Sequence, residues 1–437
     1  MVAGFVHKFD HDATSIALEV SAGRLTARSV AESFIARTLM KEPDIQAFAA
    51  FDQELVLEQA DRIDGRPGKG PLAGVPIGVK DIFDTVDWAT EFNSPIYRSN
   101  RPSRDANAVA LLRQAGAVVM GKTATAEFAF MHTGPTRNPH DLSRTPGSSS
   151  AGSAAGLAAG LFAGALGTQT AGSLIKPASY CGLYAYKPTQ NLVSLEGVKP
   201  LAPSFDTVGW YGASARDLGL IARVLIPGLP KYAAANGRLK LGFCRTPYWG
   251  MAGPDVHQAV TAAATSLSAR GHDIDEIVLP SAFETVAGDH QIINDCEGAR
   301  ALRKEQRAAA NSMSPQLAEM FERAAAISWE NEVATRKRLA LLVSVLNATM
   351  APYDAIITPS CAHVAPIGLA ATGTSDFIRL WTAFGLPQAN IPLMRKDGEL
   401  PIGLQIIGSA FSDVKLLHCV DILSETLNTG FDRARPQ

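Results

Sequence analysis

The sequence has few cysteines and almost no net charge. Its five cysteines are odd in number and include no C-x-x-C pair, which argues against a disulfide framework or a zinc knuckle and favours reduced thiols in a cytoplasmic protein. The 40 basic and 42 acidic residues give a formal charge of −2, so no overall field attracts nucleic acid or an anionic membrane. We therefore expect neither a nucleic-acid partner nor a membrane partner.

The sequence also lacks a segment typical of export or membrane insertion. The opening residues, MVAGFVHKFDHD, carry charges early and have no apolar core of the kind that a secretory signal needs. No charged residue lies between Thr145 and Ile175, and Gly156, Gly160 and Gly164 repeat as G-x-x-x-G. The serines, threonines and Gln169 of this stretch would each need a polar partner in lipid, so we do not expect a membrane helix there.

What is present suits a folded α/β globule, although length alone leaves one or two domains open. Apolar residues make up 46% and charged residues 19% of the chain. Thr26 is a candidate helix cap, and the apolar run Val75 to Val79 predicts a buried strand ending at Lys80. Helical spacing follows in DANAVALLRQAG and over Ser153 to Ala163, whose small residues allow close packing on a sheet. Residues of about 289–351 have an almost wholly helical pattern, before strands return at DAIITPS and PIGLQIIGS.

Three familiar site patterns are absent or out of context. GAVVMGKT, from Gly116 to Thr123, matches the phosphate-loop template, but the residues between its glycines are strand-like and do not form a bare loop. The nine histidines show no metal-ligand spacing, and no G-x-S-x-G elbow marks an α/β-hydrolase serine. The sequence therefore points away from nucleotide binding, zinc chemistry and a Ser-His-Asp triad.

The most informative region is rich in serine and glycine. TPGSSSAGSAAG begins at Thr145, and LGTQTAGSLIKPASYCG begins at Leu166. A flexible linker can have this composition, but linkers are not normally interleaved with apolar small-residue patterns such as LAAGLFAGALG. Gly172, directly before Ser173, would let several backbone N–H groups converge on one point, as an oxyanion hole requires.

At these residues the chain resembles the amidase signature family, whose pattern is a GGSSSGS-like run followed by GTDTGGS or GTQTGGS. Further matches extend over most of the chain and include GVPIGVKDIFDT, GPTRNP, YAYKPT, SFDTVG and LPIGLQIIG. The resemblance implies one α/β domain over residues 1–437, with its catalytic core at about 74–189. It also implies a large twisted mixed β-sheet of about eleven strands with helices on both faces.

The resemblance places the family's catalytic lysine on Lys80, its serine preceded by a cis peptide on Ser149, and its nucleophile on Ser173. The chemistry agrees, because a serine must be activated to attack an amide and a lysine can serve as base if it begins neutral. Free lysine titrates near ~10.4, so this role needs a pKa about 3 units lower, which burial can supply. Without the serine motif, Lys80 would be an ordinary strand-end lysine reaching water. Asp81 should lie on the other face of the strand and not pair with Lys80.

The resemblance extends to residues around the reacting groups. Oxyanion donors are implied on four backbone N–H groups, those of Thr170, Ala171, Gly172 and Ser173. Ser150 is implied as a supporting hydrogen-bond partner. Three further side chains are candidates for the acyl pocket or, equally, for the core: Phe128, His132 and Trp381. We expect no metal or organic cofactor, because serine and lysine supply the nucleophile and the base.

The chain departs from the commoner family pattern near the nucleophile. Gln169 and Ile175 stand in place of an acidic residue and an arginine, so the change leaves no buried charge unpaired. Ala171 stands in place of a glycine, and its methyl group would add strain if the position needed a positive φ. The chain is more similar to a malonamidase-like subgroup with GTQTGGS, in which an arginine occupies the position of Lys176. A lysine there would offer a point charge to an anionic substrate.

We expect a cytoplasmic amidase that hydrolyses a small carboxylic amide through an acyl-enzyme and, from family habit, forms a homodimer. Two alternatives stay open. Lys176 makes an S-x-x-K pattern with Ser173, although S-D-N-like and K-T-G elements are missing. The chain could also be the amidase subunit of a tRNA-dependent amidotransferase, although that subunit usually keeps the acidic and arginine positions. A catalytically silent binding protein is disfavoured, because Lys80, Ser149 and Ser173 are all present.

Overall fold

The computed structural model describes residues 12–230, 237–393 and 398–428. Within these ranges the chain forms 11 β-strands and 14 α-helices. The strands are β1 (Phe48–Phe51), β2 (Pro76–Lys80), β3 (Val118–Thr123), β4 (Gly164–Gln169), β5 (Tyr184–Lys187), β6 (Thr207–Gly212), β7 (Lys240–Cys244), β8 (Asp273–Ile277), β9 (Ala355–Pro359), β10 (Gln388–Leu393) and β11 (Ile402–Ile407). The helices are α1 (Ala13–Ser21), α2 (Ala27–Ile45), α3 (Gln53–Asp64), α4 (Asn107–Gln114), α5 (Ala151–Ala159), α6 (Ile175–Cys181), α7 (Ala215–Leu225), α8 (Pro254–Ala269), α9 (Val286–Ala301), α10 (Arg303–Ala309), α11 (Pro315–Ala326), α12 (Trp329–Met350), α13 (Asp376–Thr382) and α14 (Asp413–Asn428).

The strands form one mixed sheet flanked by the helices, in the order β1-β3-β2-β4-β6-β5-β10-β11-β9-β7-β8. Strand β2 runs parallel to β3 and β4, and β7 runs parallel to β8 and β9, whereas the other pairs are antiparallel. This arrangement confirms the α/β fold with a large mixed sheet that the sequence predicts. None of the helices within the described ranges combines the length and apolar character needed to cross a bilayer.

Strand β2 carries the candidate base into the interior. All five of its residues are buried, as expected for a strand between two parallel neighbours in the middle of a sheet. It begins at Pro76, one residue later than the predicted run, and ends at Lys80 as predicted. Gly78 lets the sheet pack closely, because a Cβ there would lie 2.7 Å from Cζ of Phe162.

The segment that matches the phosphate-loop template is part of a strand. Gly121, Lys122 and Thr123 belong to β3, which pairs with β2 on one side and β1 on the other. Lys122 is fully buried, and its Nζ lies 2.8 Å from a carboxylate oxygen of Asp81. Asp81 therefore pairs with Lys122 and not with Lys80, in agreement with the alternation of side chains expected from the sequence.

Helix α5 is shifted from its predicted position. The small-residue pattern predicts a helix over Ser153 to Ala163, but α5 begins at Ala151 and ends at Ala159. The helix stops where Gly160 adopts a left-handed conformation with φ of 79°, after which the chain turns into β4. Gly152 explains the close packing, because a Cβ there would lie 2.2 Å from the carbonyl oxygen of Ala47.

Helices α9 to α12 occupy the long segment that has the helical sequence pattern, and α9 packs against α11, α12 and α13. Thr26 caps α2 as predicted, with its side chain accepting a hydrogen bond from the Ser29 N–H. Buried apolar side chains form two clusters, a large one that extends over most of the sheet and a smaller one. The smaller cluster includes Trp381 of α13 and Phe283.

Candidate active site

The Lys80 amine lies in the interior and contacts two hydroxyl groups. Its side chain is fully buried at the end of β2. Nζ donates to Oγ of Ser149 at 2.7 Å and to Oγ1 of Thr168 at 2.8 Å. Burial lowers the pKa of Lys80 to about 7, against the opposing effect of the Asp206 carboxylate, which favours the charged amine. A substantial fraction of this amine is therefore neutral near pH 7.

Ser149 lies in the loop directly before α5. The peptide bond between Ser148 and Ser149 is cis, as the family resemblance implies. The Ser149 side chain is fully buried, and its carbonyl accepts from the N–H of Ala126 at 3.3 Å. Ser150 supports the same loop, since its Oγ donates to the Thr168 carbonyl at 3.2 Å and accepts from the Thr168 N–H at 3.3 Å.

Ser173 lies in the short loop between β4 and α6 and is partly exposed. Its carbonyl accepts from the Ser150 N–H at 3.3 Å, which brings the two serine loops side by side. Tyr211 contacts the same carbonyl through its hydroxyl at 3.5 Å. The Ser173 hydroxyl makes no hydrogen bond to any residue that the structure describes, so it is free to meet an incoming group.

The loop before Ser173 presents unused donors. The backbone N–H groups of Ala171, Gly172 and Ser173 donate to no atom of the described residues. Ala171 does not have a positive φ, so the strain that a methyl group would cause there does not arise. Gly172 is required by packing, because a Cβ at this position would lie 2.8 Å from Oγ of Ser375.

Two side chains for which the sequence predicts no role hold Thr170, which precedes these donors. The Oγ1 of Thr170 donates to Asp206 at 2.6 Å, and Asp206 also accepts from the N–H groups of Leu201 and Ala202. The carbonyl of Thr170 accepts from Nε2 of His290 at 2.8 Å. Burial lowers the pKa of His290 to about 3, so this histidine is neutral. Nothing in the sequence pattern of α9 distinguishes His290 from an ordinary helical residue.

Gln169 replaces the acidic residue of the commoner family pattern with a neutral hydrogen-bond network. Its Oε1 accepts from the N–H groups of Leu174 and Ile175 at 3.2 and 3.1 Å. Its Nε2 donates to Oγ1 of Thr382 and to Oε1 of Gln388, both at 3.0 Å. Gln169 therefore holds the turn that follows the candidate nucleophile.

Lys176 is buried one turn after Ser173 but does not contact it. Its Nζ donates to the carbonyl of Gly373 at 3.1 Å and to Oγ1 of Thr372 at 3.5 Å. Burial lowers the pKa of Lys176 to about 8. The amine therefore already has partners in the segment that leads into α13.

The three candidates for the acyl pocket lie in different surroundings. Phe128 is buried and packs among aromatic rings, with its centroid 6.1 Å from that of Phe92 and 5.9 Å from that of Tyr97. His132 is exposed, and its carbonyl accepts from the Glu127 N–H. Trp381 is 1% exposed and packs in the smaller core cluster. Phe128 and Trp381 therefore both have the surroundings of core residues, whereas His132 lies at the surface.

A family model described as Amidase matches residues 29–417. The chain belongs to the amidase family. This membership makes it an enzyme that acts on amide C–N bonds, as the sequence predicts. Within the described ranges, no group of three or more histidine, cysteine, aspartate or glutamate side chains is arranged to hold a metal ion.

The relatives of this amidase include amidotransferase subunits and an amidase of known structure. It is 30% identical to a glutamyl-tRNA(Gln) amidotransferase subunit from Carboxydothermus hydrogenoformans, over 97% of this chain and 98% of that protein. A crystal structure of an amidase is similar with a TM-score of 0.88 and 28% identity, over 95% of this chain and 100% of the other. A chain from a vestigial protein complex that reveals the evolutionary origins of an s-triazine catabolic enzyme is similar with a TM-score of 0.86 and 27% identity, over 95% of this chain and 98% of the other.

Proposed function

We propose that this amidase hydrolyses a carboxylic amide to an acid and ammonia or an amine, with Ser173 as nucleophile, Ser149 as proton relay and Lys80 as base. The observation that carries the proposal is the hydrogen bond of 2.7 Å between Lys80 Nζ and Ser149 Oγ in a fully buried setting. The loop contact between Ser150 and Ser173 supports it, because the relay and the nucleophile belong to adjacent loops.

The reaction proceeds in two halves. Ser173 Oγ bonds to the amide carbon while its proton passes to Ser149 and the Ser149 proton passes to the neutral Lys80 amine. The C–N bond then breaks, and the proton returns from Lys80 through Ser149 to the leaving nitrogen. Water next attacks the acyl carbon, its proton takes the same route, and the acid leaves as Ser173 regains its proton.

The oxyanion that forms in each half needs donors that are not already occupied. The free N–H groups of Ala171, Gly172 and Ser173 meet this requirement, and the loss of one such donor in other enzymes costs about 3 kcal/mol of transition-state stabilisation. The neighbouring Thr170 is held through its side chain and its carbonyl by Asp206 and His290. These contacts favour a loop whose donors are set before substrate arrives.

The contacts of Lys176 give little support to the rival S-x-x-K scheme. In that scheme Lys176 would accept the Ser173 proton, yet its amine bonds to Gly373 and Thr372. The two schemes predict opposite mutational results. We expect Lys80→Met to lower kcat by at least about a thousandfold and Lys176→Met by much less, because only the base takes part in proton transfer.

A serine-reactive phosphonate together with a panel of small amides tests the proposal. Wild-type protein should be labelled at Ser173, and Ser173→Ala should lose both labelling and turnover while its Tm stays within a few degrees. Ser344→Ala, at an exposed position on α12, is the matched control and should behave as wild type. Labelling at another serine, or turnover by Ser173→Ala, would contradict the assignment.

The relatives support a second setting for this amide hydrolysis. In that setting the chain is an amidase subunit that works within a tRNA-dependent amidotransferase. Several curated relatives are subunits of that kind, and they favour this reading over the self-sufficient hydrolase that the sequence analysis preferred. Gln169 and Ile175 still separate this chain from the commoner pattern. The malonamidase-like subgroup stays a prediction.

Purified chain assayed with glutamine and with small amides, alone and with the other subunits of a bacterial amidotransferase, separates the two settings. Glutaminase activity that appears only with partner subunits would establish the subunit role. Turnover of small amides by the chain alone, unchanged by those subunits, would establish the independent hydrolase.

A further inference from the structure

Helix α13 presents one side to the nucleophile loop. At 100° per residue, Ser375, Ile378, Arg379 and Thr382 fall on the same side of this helix. A Cβ at Gly172 would lie 2.8 Å from Ser375 Oγ and 3.1 Å from Ile378 Cδ1. Thr382 Oγ1 donates to the backbone carbonyl of the loop residue before Gly172 at 3.0 Å. Arg379 therefore extends from the edge of the helix face that covers the candidate oxyanion loop.

The Arg379 guanidinium has no protein partner among the described residues. Its side chain is partly buried, and its Nε is buried without a hydrogen bond. The carboxylates of Asp376 and Asp295 act on the guanidinium electrostatically, but neither forms an ion pair with it. Asp295 is already engaged by Arg323, whose Nε lies 2.7 Å from its carboxylate. Five N–H donors in a partly dehydrated setting are thus left without a protein acceptor.

Three buried lysines among the described residues have protein partners. Lys122 bonds to a carboxylate, Lys176 to the carbonyl of Gly373, and Lys187 to the carbonyl of Pro188 at 2.9 Å. An unpaired buried charge is expensive to keep in a folded protein, and functional sites are where such groups persist. Arg379 differs from these lysines in offering its donors to a group that is not part of the chain.

The charge of Arg379 acts on the candidate site. Burial is the main cause of the lowered pKa of His290 and of Lys176, and the charge of Arg379 lowers both further. His290 holds the Thr170 carbonyl before Ser173, and Lys176 lies three residues after Ser173. The positive potential of Arg379 therefore extends to the space around the nucleophile loop.

A cavity of about 600 Å³ between α9 and α11 is a separate feature. Its lining includes Asp289 and Asp295, which are paired with Arg338 and Arg323, and does not include Arg379. The cavity therefore offers an anion no unpaired arginine of its own. Arg379 belongs instead to α13, which packs against the loop through Ser375, Ile378 and Thr382.

We propose that Arg379 binds a carboxylate carried by the substrate, so that the substrates of this amidase are small amides with a free carboxylate near the scissile bond. The inference rests on the proposed amide hydrolysis and names its substrate class. A guanidinium pairs with a carboxylate through two parallel hydrogen bonds and recognises its plane, which a lysine does not. Lys176, the residue that the sequence suggests for this task, acts here as a positioning residue that holds the segment before α13.

Two sources of a carboxylated amide share this chemistry, monoamides of dicarboxylic acids and the side-chain amide of glutamine. Steady-state rates on succinamate, glutamine and the uncharged isostere butyramide distinguish them. We expect wild-type protein to favour at least one carboxylated amide over butyramide by about 10- to 100-fold in kcat/KM, the range of a hydrogen bond to a charged group. The carboxylated amide with the larger kcat/KM identifies the source.

Variants of Arg379 test the assignment to this residue. Arg379→Gln should lower kcat/KM on the preferred carboxylated amide by about 10- to 100-fold, chiefly through KM, and bring its ratio to butyramide close to one. Arg379→Lys should recover part of the preference, because a lysine keeps the positive charge but lacks the two parallel N–H donors of a guanidinium. Arg300→Gln, an exposed arginine on α9 paired with Glu332, is the matched control and should keep the wild-type ratio.

Product inhibition of the wild-type protein is a further test, and it requires no variant to fold. The acid released from the preferred carboxylated amide should inhibit wild-type protein competitively. The corresponding compound without a free carboxylate should not. A wild-type enzyme that hydrolyses butyramide as well as both carboxylated amides would overturn the role of Arg379 and leave Ser173 catalysis intact. Equal losses of Arg379→Gln on charged and neutral amides would also overturn it. Failure to hydrolyse any amide, both alone and with the amidotransferase subunits, together with no labelling of Ser173, would overturn the proposed function itself.

Discussion

Lys80 is one of three lysines in the described part of the chain whose pKa burial lowers to about 7 or 8. The pKa of Lys187 is lowered to about 7 and that of Lys176 to about 8, so a shifted pKa does not by itself identify a base. The partners of the three amines differ. Lys187 bonds to a backbone carbonyl, and Lys176 bonds to the carbonyl of Gly373 and the hydroxyl of Thr372, whereas Lys80 bonds to the hydroxyl of Ser149. The loop of Ser149 adjoins the loop of Ser173 through the N–H of Ser150, and this position singles out Lys80.

The Lys80 amine predicts the pH dependence of the reaction. A base with a pKa of about 7 is protonated and inactive at lower pH and neutral at higher pH, so kcat/KM should rise with pH and level off above about 7. Initial rates on an amide substrate between pH 5 and 9 measure this limb. Lys176→Met should keep the same apparent pKa. A profile that is flat across this range, or that moves with Lys176→Met, would contradict Lys80 as the base.

At the scale of elements, the end of β4 and the start of α6 are joined by the neutral network of Gln169. The amide is suited to this place because it accepts from Leu174 and Ile175 with one end and donates to Thr382 and Gln388 with the other. The family pattern carries an acid and an arginine at positions 169 and 175. The structure shows that an uncharged amide performs the turn-holding task without an ionic partner.

We expect Gln169→Glu to destabilise the fold by about 2–3 kcal/mol near pH 8, because a carboxylate loses both donated hydrogen bonds and adds a buried charge. Burial raises the pKa of such a carboxyl above its unfolded value, so the loss should be small near pH 5 and grow as the pH rises. Urea unfolding at the two pH values measures it. Gln53→Glu, exposed in the first turn of α3, is the control. Equal stability of Gln169→Glu at both pH values would refute the reasoning.

Helix α5 depends on glycine where it meets the sheet. Gly152→Ala should cost about 1–3 kcal/mol, because its Cβ would overlap the backbone of Ala47 and Ala124. Gly219 offers a matched control within α7, where a Cβ would meet only the far end of Arg223 at 3.6 Å. Gly219→Ala should stabilise the fold by up to about 1 kcal/mol through helix propensity. Thermal unfolding that ranks the two substitutions in the opposite order would refute this packing account.

At the scale of the whole molecule, the sheet brings together site residues that are far apart in the sequence. Strands β2 and β4 are neighbours and bring Lys80 close to the loop of Ser173. Helix α9 then supplies His290, and α13 supplies Arg379, with Ser375 directly before it. The five cysteines take no part in the site, and all are buried and free.

We expect the five cysteine thiols to react with thiol reagents only after the protein unfolds. Burial raises the pKa of Cys361 and of Cys419 to about 12, so neither access nor ionisation favours reaction. An aromatic disulfide reagent at pH 8 should therefore modify fewer than one thiol per native chain, and about five after addition of denaturant. Rapid modification of a native cysteine would show that the interior opens more readily than this packing implies.

Much of the site could be predicted because its motifs are short and continuous. The run around Ser149, the loop ending at Ser173 and the apolar strand ending at Lys80 each carry their pattern within a few residues, and the structure places the three segments together. Asp206 lay within a recognised motif but had no assigned role. His290 could not be predicted, since its surrounding sequence is that of an ordinary helix.

The amino-acid sequence by itself determined the α/β class, the strand that carries Lys80, the close-packing helix after Ser149 and the chemistry that serine and lysine can perform. These are properties of local pattern, because periodicity and small-residue runs act over a few turns or strand residues. Only the tertiary structure decided the strand order, the neutral role of Gln169 and the unpartnered state of Arg379. Those depend on which distant groups meet in the interior, and burial and pairing of a charge exist only once the chain has folded around it.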